Sequence, residues 1–322
     1  MSSFKINNVY IYKHYTVAGP LEAKGKIKGF NYVFDDYYFK EKTFEKAEIR
    51  MQKVVITHLL NKDIDLIIAG DLSNQIANST YTARYFNIPF LGIYSACATF
   101  VESMIIASSF IDTKKNNNIL CLTSSHNLTA EKEFRYPIEY GSIKKKTSTF
   151  TATGCVGVIL TNSKTNIKLE SATIGKIVDL NWKDPNNFGA AMAPAAADTL
   201  YNHLKELNKD INDYDLILTG DLGKYGSKIF KEYLLTNYSI KIVNHLDAGN
   251  EVFKESQNIN AGSSGPVTIP LVFFNKILKE KKYKKILLLA TGALHSPLML
   301  NQKESIPGIA HAISVEVIKW CY

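Results

Sequence analysis

Chemistry in this chain starts at Cys97. The stretch Leu91 to Asp112 (LGIYSACATFVESMIIASSFID) opens as a buried strand and turns through Ser95 and Ala96. It then continues with apolar residues at helical spacing from Phe100 to Ile111. A sulfur at a strand-to-helix turn lies near unpaired N–H groups and the positive end of the helix dipole, which favours a nucleophilic thiolate over the thiol. A cysteine flanked by alanines also serves as small core filling, and the stretch alone leaves both roles open. Other candidates for polar work are His126 and Asn127, Arg135, Asn186 and Asn187, His245, and the turn Asn260 to Gly265 (NAGSSG). Guanidinium, imidazole and amide groups of this kind are planar hydrogen-bond donors. Arg135 has a competing use, since Glu131 and Glu139 stand close to it in sequence.

Composition excludes several function classes. The chain of 322 residues is 46% hydrophobic and 21% charged, which is the composition of a soluble globular protein. Its longest apolar runs fall short of a membrane span, and its start lacks a signal peptide's apolar core, so a reducing cytosolic setting is expected. Four scattered cysteines and seven histidines without HxxxH or HExxH spacing predict neither disulfide framework, metal site nor cofactor. Among 38 basic residues only Arg50, Arg84 and Arg135 are arginine. The lysines run together at Lys144 to Lys146 and Lys279 to Lys285 without interleaved nucleic-acid-binding aromatics, so a solvated face or weak attraction to acidic lipid is expected, and no nucleic acid. Gly220, Gly223 and Gly226 follow a strand at the wrong spacing for a dinucleotide turn.

The elements that must position these residues recur. Asp63 to Leu72 reads DIDLIIAGDL and Asp213 to Leu222 reads DYDLILTGDL; Asn117 to Ser124 (NNILCLTS) likewise resembles Lys284 to Thr291 (KKILLLAT). Such a long-period repeat predicts a duplicated α/β unit. In the first half we expect helices over 42–60, 74–86 and from Phe100, with strands at 64–69, near Phe90, and 119–123. In the second we expect helices over 193–207, 224–236 and after Gly265, with strands at 216–219, 240–243 and 286–290. Buried strands alternating with amphipathic helices imply sheets covered on both faces. The halves, residues 1–170 and 171–322, would join near Lys168 to Thr173 as one pseudo-symmetric body.

A duplicated α/β body with a Cys at the head of a helix resembles the thiolase superfamily, which implies a five-layered αβαβα fold. Carried onto this chain, the resemblance implies a Cys-His-Asn set of Cys97, His245 and Asn260, with Gly262 as the alternative in that turn. In such a set a thiolate attacks a thioester while paired donors hold its oxygen. The chain departs from thiolases at Thr291 to Pro297 (TGALHSP), where a second Cys would stand as general base.

A closer resemblance, to the stage V sporulation protein AD family, covers nearly the whole chain. It rests on TVAGPLEAKG (Thr16 to Gly25), TFEKAE (Thr43 to Glu48), AGDLSNQI (Ala69 to Ile76), TSSHNLTAEKEFRYPIEYG (Thr123 to Gly141), KDPNNFGAAMAPAAADT (Lys183 to Thr199), ATGALHSP (Ala290 to Pro297) and ESIPGIAHA (Glu304 to Ala312). Loop-type runs of small, polar and proline residues are not what core packing alone requires. This resemblance implies a pocket for dipicolinic acid, pyridine-2,6-dicarboxylate, lined by Cys97, His126, Arg135, Asn187, His245, Asn260 and Gly262. It implies work with membrane proteins of the same sporulation operon, carrying the acid or its calcium chelate into the developing spore. The setting would be peripheral, on the cytoplasmic side of the forespore inner membrane, as a homodimer. The chain departs from the family at Asn260, where His is expected, and in the following turn, where Ser and Pro replace Cys. Two rivals to a non-catalytic binder are a ketoacyl-synthase-like acyltransferase and an assembly protein with a vestigial pocket.

Overall fold

The computed structural model describes residues 2–134 and 144–320. Its main elements are β1 (Ser3–Ala18), α1 (Phe44–Leu59), β2 (Leu66–Gly70), α2 (Ala77–Ala83), β3 (Phe90–Gly92), α3 (Thr99–Asp112), β4 (Asn118–Ser125), α4 (Asn127–Phe134) and β5 (Gly154–Thr161) in the first half. The second half has β6 (Ile167–Ile174), α5 (Phe188–Leu207), β7 (Leu216–Thr219), α6 (Gly223–Tyr238), β8 (His245–Asp247), α7 (Thr268–Val272), β9 (Lys285–Ala293) and β10 (Gly308–Val317).

The strands pair in the order β3-β2-β4-β5-β1-β6-β10-β9-β7-β8. Read outward from the centre, the two halves repeat one order: β1-β5-β4-β2-β3 and β6-β10-β9-β7-β8. In each, the outer three strands are parallel and the rest antiparallel. The repeated segments therefore hold equivalent places, β2 and β7, second from either edge. β1 joins the halves, pairing with β6 over Ser3–Tyr10 and with β5 over Tyr10–Ala18.

Side-chain alternation sorts the body into layers. From β2 and β7, Ile68, Leu216 and Leu218 face a central core that also holds Phe100, Val101, Met104 and Ile105 of α3 and Leu271 and Val272 of α7. Their neighbours Ile67 and Ala69 face an outer layer built on Met51, Val55 and Leu59 of α1. Ile217 instead faces the opposite outer layer, formed by α5 and α6. The result is α1 | sheet | α3 and α7 | sheet | α5 and α6, a thiolase-like five-layer body. α3 sits in the middle because it is apolar almost all round, with Phe100, Val101, Met104 and Ala107 all fully buried.

Three expectations shift. The strand expected over 240–243 forms at His245–Asp247 instead, because pairing with β7 begins at His245↔Ile217. Val243 is 75% exposed, so this apolar run marks no sheet. Lys168 to Thr173, expected as the joint, lies inside central strand β6. α5 begins at Phe188 rather than Ala193, since Asn187 caps it by accepting from the Ala190 N–H at 3.2 Å. Gly226, one of the glycines that fit no nucleotide turn, serves packing: a Cβ there would lie 2.7 Å from Gly189 Cα on α5.

Candidate functional site

The turn between β3 and α3 is held from both halves. Thr99 Oγ1 accepts from the Ser95 N–H at 3.0 Å and donates to the Ala96 carbonyl at 2.7 Å. Ala96 takes the left-handed conformation at φ 50°, which a non-glycine residue rarely adopts outside a constrained site. Opposite it, Gly292 of β9 lacks the Cβ that would strike the Ser95 carbonyl. These constraints present Cys97, half-buried, to a cavity of about 30 Å³. That is room for about one water. Asp221, Ser264, Thr151 and His295 share its walls.

Asp221 shares this cavity with the thiol. Its carboxylate accepts the Thr291 hydroxyl at 2.7 Å and the Gly265 N–H at 3.1 Å. Burial, then the Asp221 charge and hydrogen bond, push the Cys97 thiol well above its ordinary pKa of 9.0. The thiolate expected from the helix start is therefore not favoured, because desolvation and a carboxylate outweigh the dipole. Burial also raises Asp221 itself, to about 6.

Beyond this small cavity opens a cleft of about 1360 Å³, reached past Leu72, Phe134 and His295, which line both. Asn74, Gln75, Asn127, Asn186 and Asn301 supply amide groups to its walls. Its charged side chains include Lys144, paired with Glu131 at 3.1 Å, and Lys132, paired with Glu45 at 2.7 Å. His295 is 7% exposed and stands between the rings of Phe134 and Phe188, with centroids at 6.0 and 5.3 Å.

Of the residues singled out in the sequence, Cys97 and Ser264 line the small cavity and Asn127 and Asn186 line the cleft; the others described stand elsewhere. His245 sits on the outer side of β8, its Nε2 2.8 Å from Thr219 Oγ1 and its ring against Phe230 at 5.1 Å; burial lowers its pKa to about 3. His126 is fully buried beneath α4, with Nε2 2.8 Å from the Tyr37 carbonyl and its ring stacked on Phe44. Asn187 is consumed as the α5 cap. Asn260 is exposed, its amide donating to the Lys144 and Lys145 carbonyls at 3.4 and 3.2 Å. Gly262, at φ 120°, accepts from the Phe150 N–H through its carbonyl. Arg135 lies outside the described residues. A Cys-His-Asn set of Cys97, His245 and Asn260 is thus not assembled. The residues that do meet Cys97 were missed, although both carried signals: Asp221 ends the repeated GDL, and His295 lies in ATGALHSP.

The comparisons agree with this body. A family model, Stage V sporulation protein AD, matches residues 2–316. The chain belongs to this family. It is 42% identical over 311 residues to stage V sporulation protein AD of Bacillus subtilis (strain 168), across 94% of this chain and 92% of that one. Family membership places the chain in sporulation. Among solved structures it is similar to a variant of OleA from Xanthomonas campestris, with TM-score 0.63 and 10% identity over 97% of this chain and 99% of that one. It is also similar to 3-oxoacyl-[acyl-carrier-protein] synthase III from Aquifex aeolicus VF5, with TM-score 0.52 and 13% identity over 98% and 99%. At these identities the likeness concerns the thiolase-like fold. Among the described residues no group of three or more His, Cys, Asp or Glu could hold a metal, and no helix is long and apolar enough to cross a membrane.

Proposed function

We propose that this member of the sporulation family binds dipicolinic acid in the cleft in front of Cys97, without acyl-transfer chemistry. The observation that carries this reading is what shares the small cavity with Cys97: a carboxylate, Asp221, whose charge opposes the oxyanion that thioester condensation must develop. A thioester oxygen beside Asp221 would meet negative charge. The outer cleft supports the binding half of the reading, since its amides and the His295 imidazole offer hydrogen bonds to a flat dicarboxylate of pyridine size.

In this reading the chain hands dipicolinate, as free acid or calcium chelate, to membrane proteins of its own sporulation operon. It works as a peripheral homodimer on the cytoplasmic side of the forespore inner membrane. The decisive experiment is a calorimetric titration of the full chain with dipicolinate, beside pyridine-2-carboxylate and acyl-coenzyme A. Saturable dipicolinate binding that weakens when one carboxylate is removed supports the reading. Turnover of acyl-coenzyme A through an acylated Cys97 would refute it and restore the acyltransferase.

A further inference from the structure

The duplication supplies two aspartates in the same GDL sequence, and the fold employs them differently. Asp71 is spent on the start of α2, accepting from the N–H and hydroxyl groups of both Ser73 and Ser79. At the equivalent place in the second half, the Leu222 and Gly223 N–H groups at the start of α6 go instead to Asp247, at 3.0 and 2.8 Å. Asp247 also takes the Thr219 hydroxyl at 2.7 Å. Relieved of capping, Asp221 is held by groups of its own half in the cavity it shares with Cys97 of the first half.

What it meets there is a constructed arrangement. Thr291 Oγ1 and the Gly265 N–H each bind one carboxylate oxygen, at 2.7 and 3.1 Å, and Cys97 lines the same small cavity as that carboxylate. Gly265 holds φ 104°, a conformation closed to residues with a Cβ, and a Cβ there would also lie 2.9 Å from Ser125 Oγ. Its N–H direction is thereby fixed. Ala96, at φ 50°, fixes the other side of the contact. Segments from both halves thus converge on one carboxylate–thiol pair in a cavity of about 30 Å³.

We propose that Asp221 is a positioning residue that holds Cys97 as a neutral thiol, so that the strand-to-helix cysteine forms an inert wall of the cleft instead of a nucleophile. The thiol donates its proton toward the carboxylate, and the sulfur meets the cleft uncharged. Ionising Cys97 would place two anions in one water-sized space, which neighbouring charges and desolvation both oppose. The inference deepens the binding reading and rests on it for its meaning, while its test is separate.

That test follows alkylation of Cys97 by iodoacetamide from about pH 6 to pH 10, read by peptide mass mapping. The protein is the full chain carrying Cys321→Ser; Cys121 and Cys155 are fully buried. The parent is expected to show no inflection below about pH 9. Asp221→Asn keeps the side-chain shape and removes the charge. Its Cys97 should react at least about tenfold faster at pH 8, with the inflection moved down by about one unit or more. Asp71→Asn, the equivalent change in the first half, should leave the profile where it was. Identical profiles for the parent and a folded Asp221→Asn protein would overturn the proposal. So would a parent that already inflects at the ordinary thiol value, a result that decides the matter even if the variant does not fold. A failed dipicolinate titration with an unreactive Cys97 sinks the ligand reading alone; a reactive Cys97 with intact titration sinks this inference alone.

Discussion

Replacing two histidines in turn separates the site the fold builds from the site the sequence suggests. His295 lines both the cleft and the Cys97 cavity, so His295→Ala removes one donor to a bound carboxylate. A hydrogen bond to a charged partner contributes about 1.5 to 3 kcal/mol, which is about a 10- to 150-fold rise in the dipicolinate Kd. His245 lines neither cavity. Its ring fills space against Phe230, and Nε2 meets Thr219 Oγ1 at 2.8 Å. His245→Ala should therefore cost stability, about 2 to 4 kcal/mol from the lost packing and hydrogen bond, with binding unchanged while the protein stays folded. Calorimetric titration at a temperature well below each unfolding midpoint, paired with urea unfolding, reads the two effects separately. If His245→Ala weakened binding tenfold while His295→Ala left it alone, the assignment of the cleft would be wrong.

Other consequences are open to measurement. Removing the central ring, Phe100→Ala, should cost about 3 to 5 kcal/mol in urea unfolding, because a fully buried side chain of the middle layer leaves a cavity between both sheets. Gly292→Ala should change the Cys97 alkylation rate and weaken dipicolinate binding, since its Cβ would press on the Ser95 carbonyl and shift the turn; unchanged kinetics would count against that coupling. Stability should peak at mildly acidic pH. His14, His126, His203, His245 and His311 have folded-state pKa values lowered to about 3 to 4, so their contribution is present above their ordinary 6.5 and is lost as pH falls toward 4. Glu22, Asp221 and Asp247 are raised to between about 6 and 7, so theirs is present below the ordinary carboxylate range and is lost as pH rises through 6 to 7. A melting temperature flat from about pH 4 to pH 8 would contradict this balance.

The amino-acid sequence determined the parts of this protein that depend on short-range pattern. DIDLIIAGDL and DYDLILTGDL fixed a duplicated strand and turn, and the all-round apolar run after Cys97 required a central helix, because an amphipathic pattern is what a layer boundary imposes. Segments such as KDPNNFGAAMAPAAADT carried the family, although from Phe188 onward this one is the buried start of α5 and not the loop expected. Which polar residues share a cavity is a different kind of fact. It depends on where β8 comes into register with β7, and pairing from His245 turned that histidine to the outer layer. It depends equally on which carboxylate caps α6: Asp247 reaches back from the next strand to do so, leaving Asp221 for Cys97. Two identical GDL turns thus acquire different work only when the halves close on each other, since a side chain's partners are set by the competition among all donors within reach.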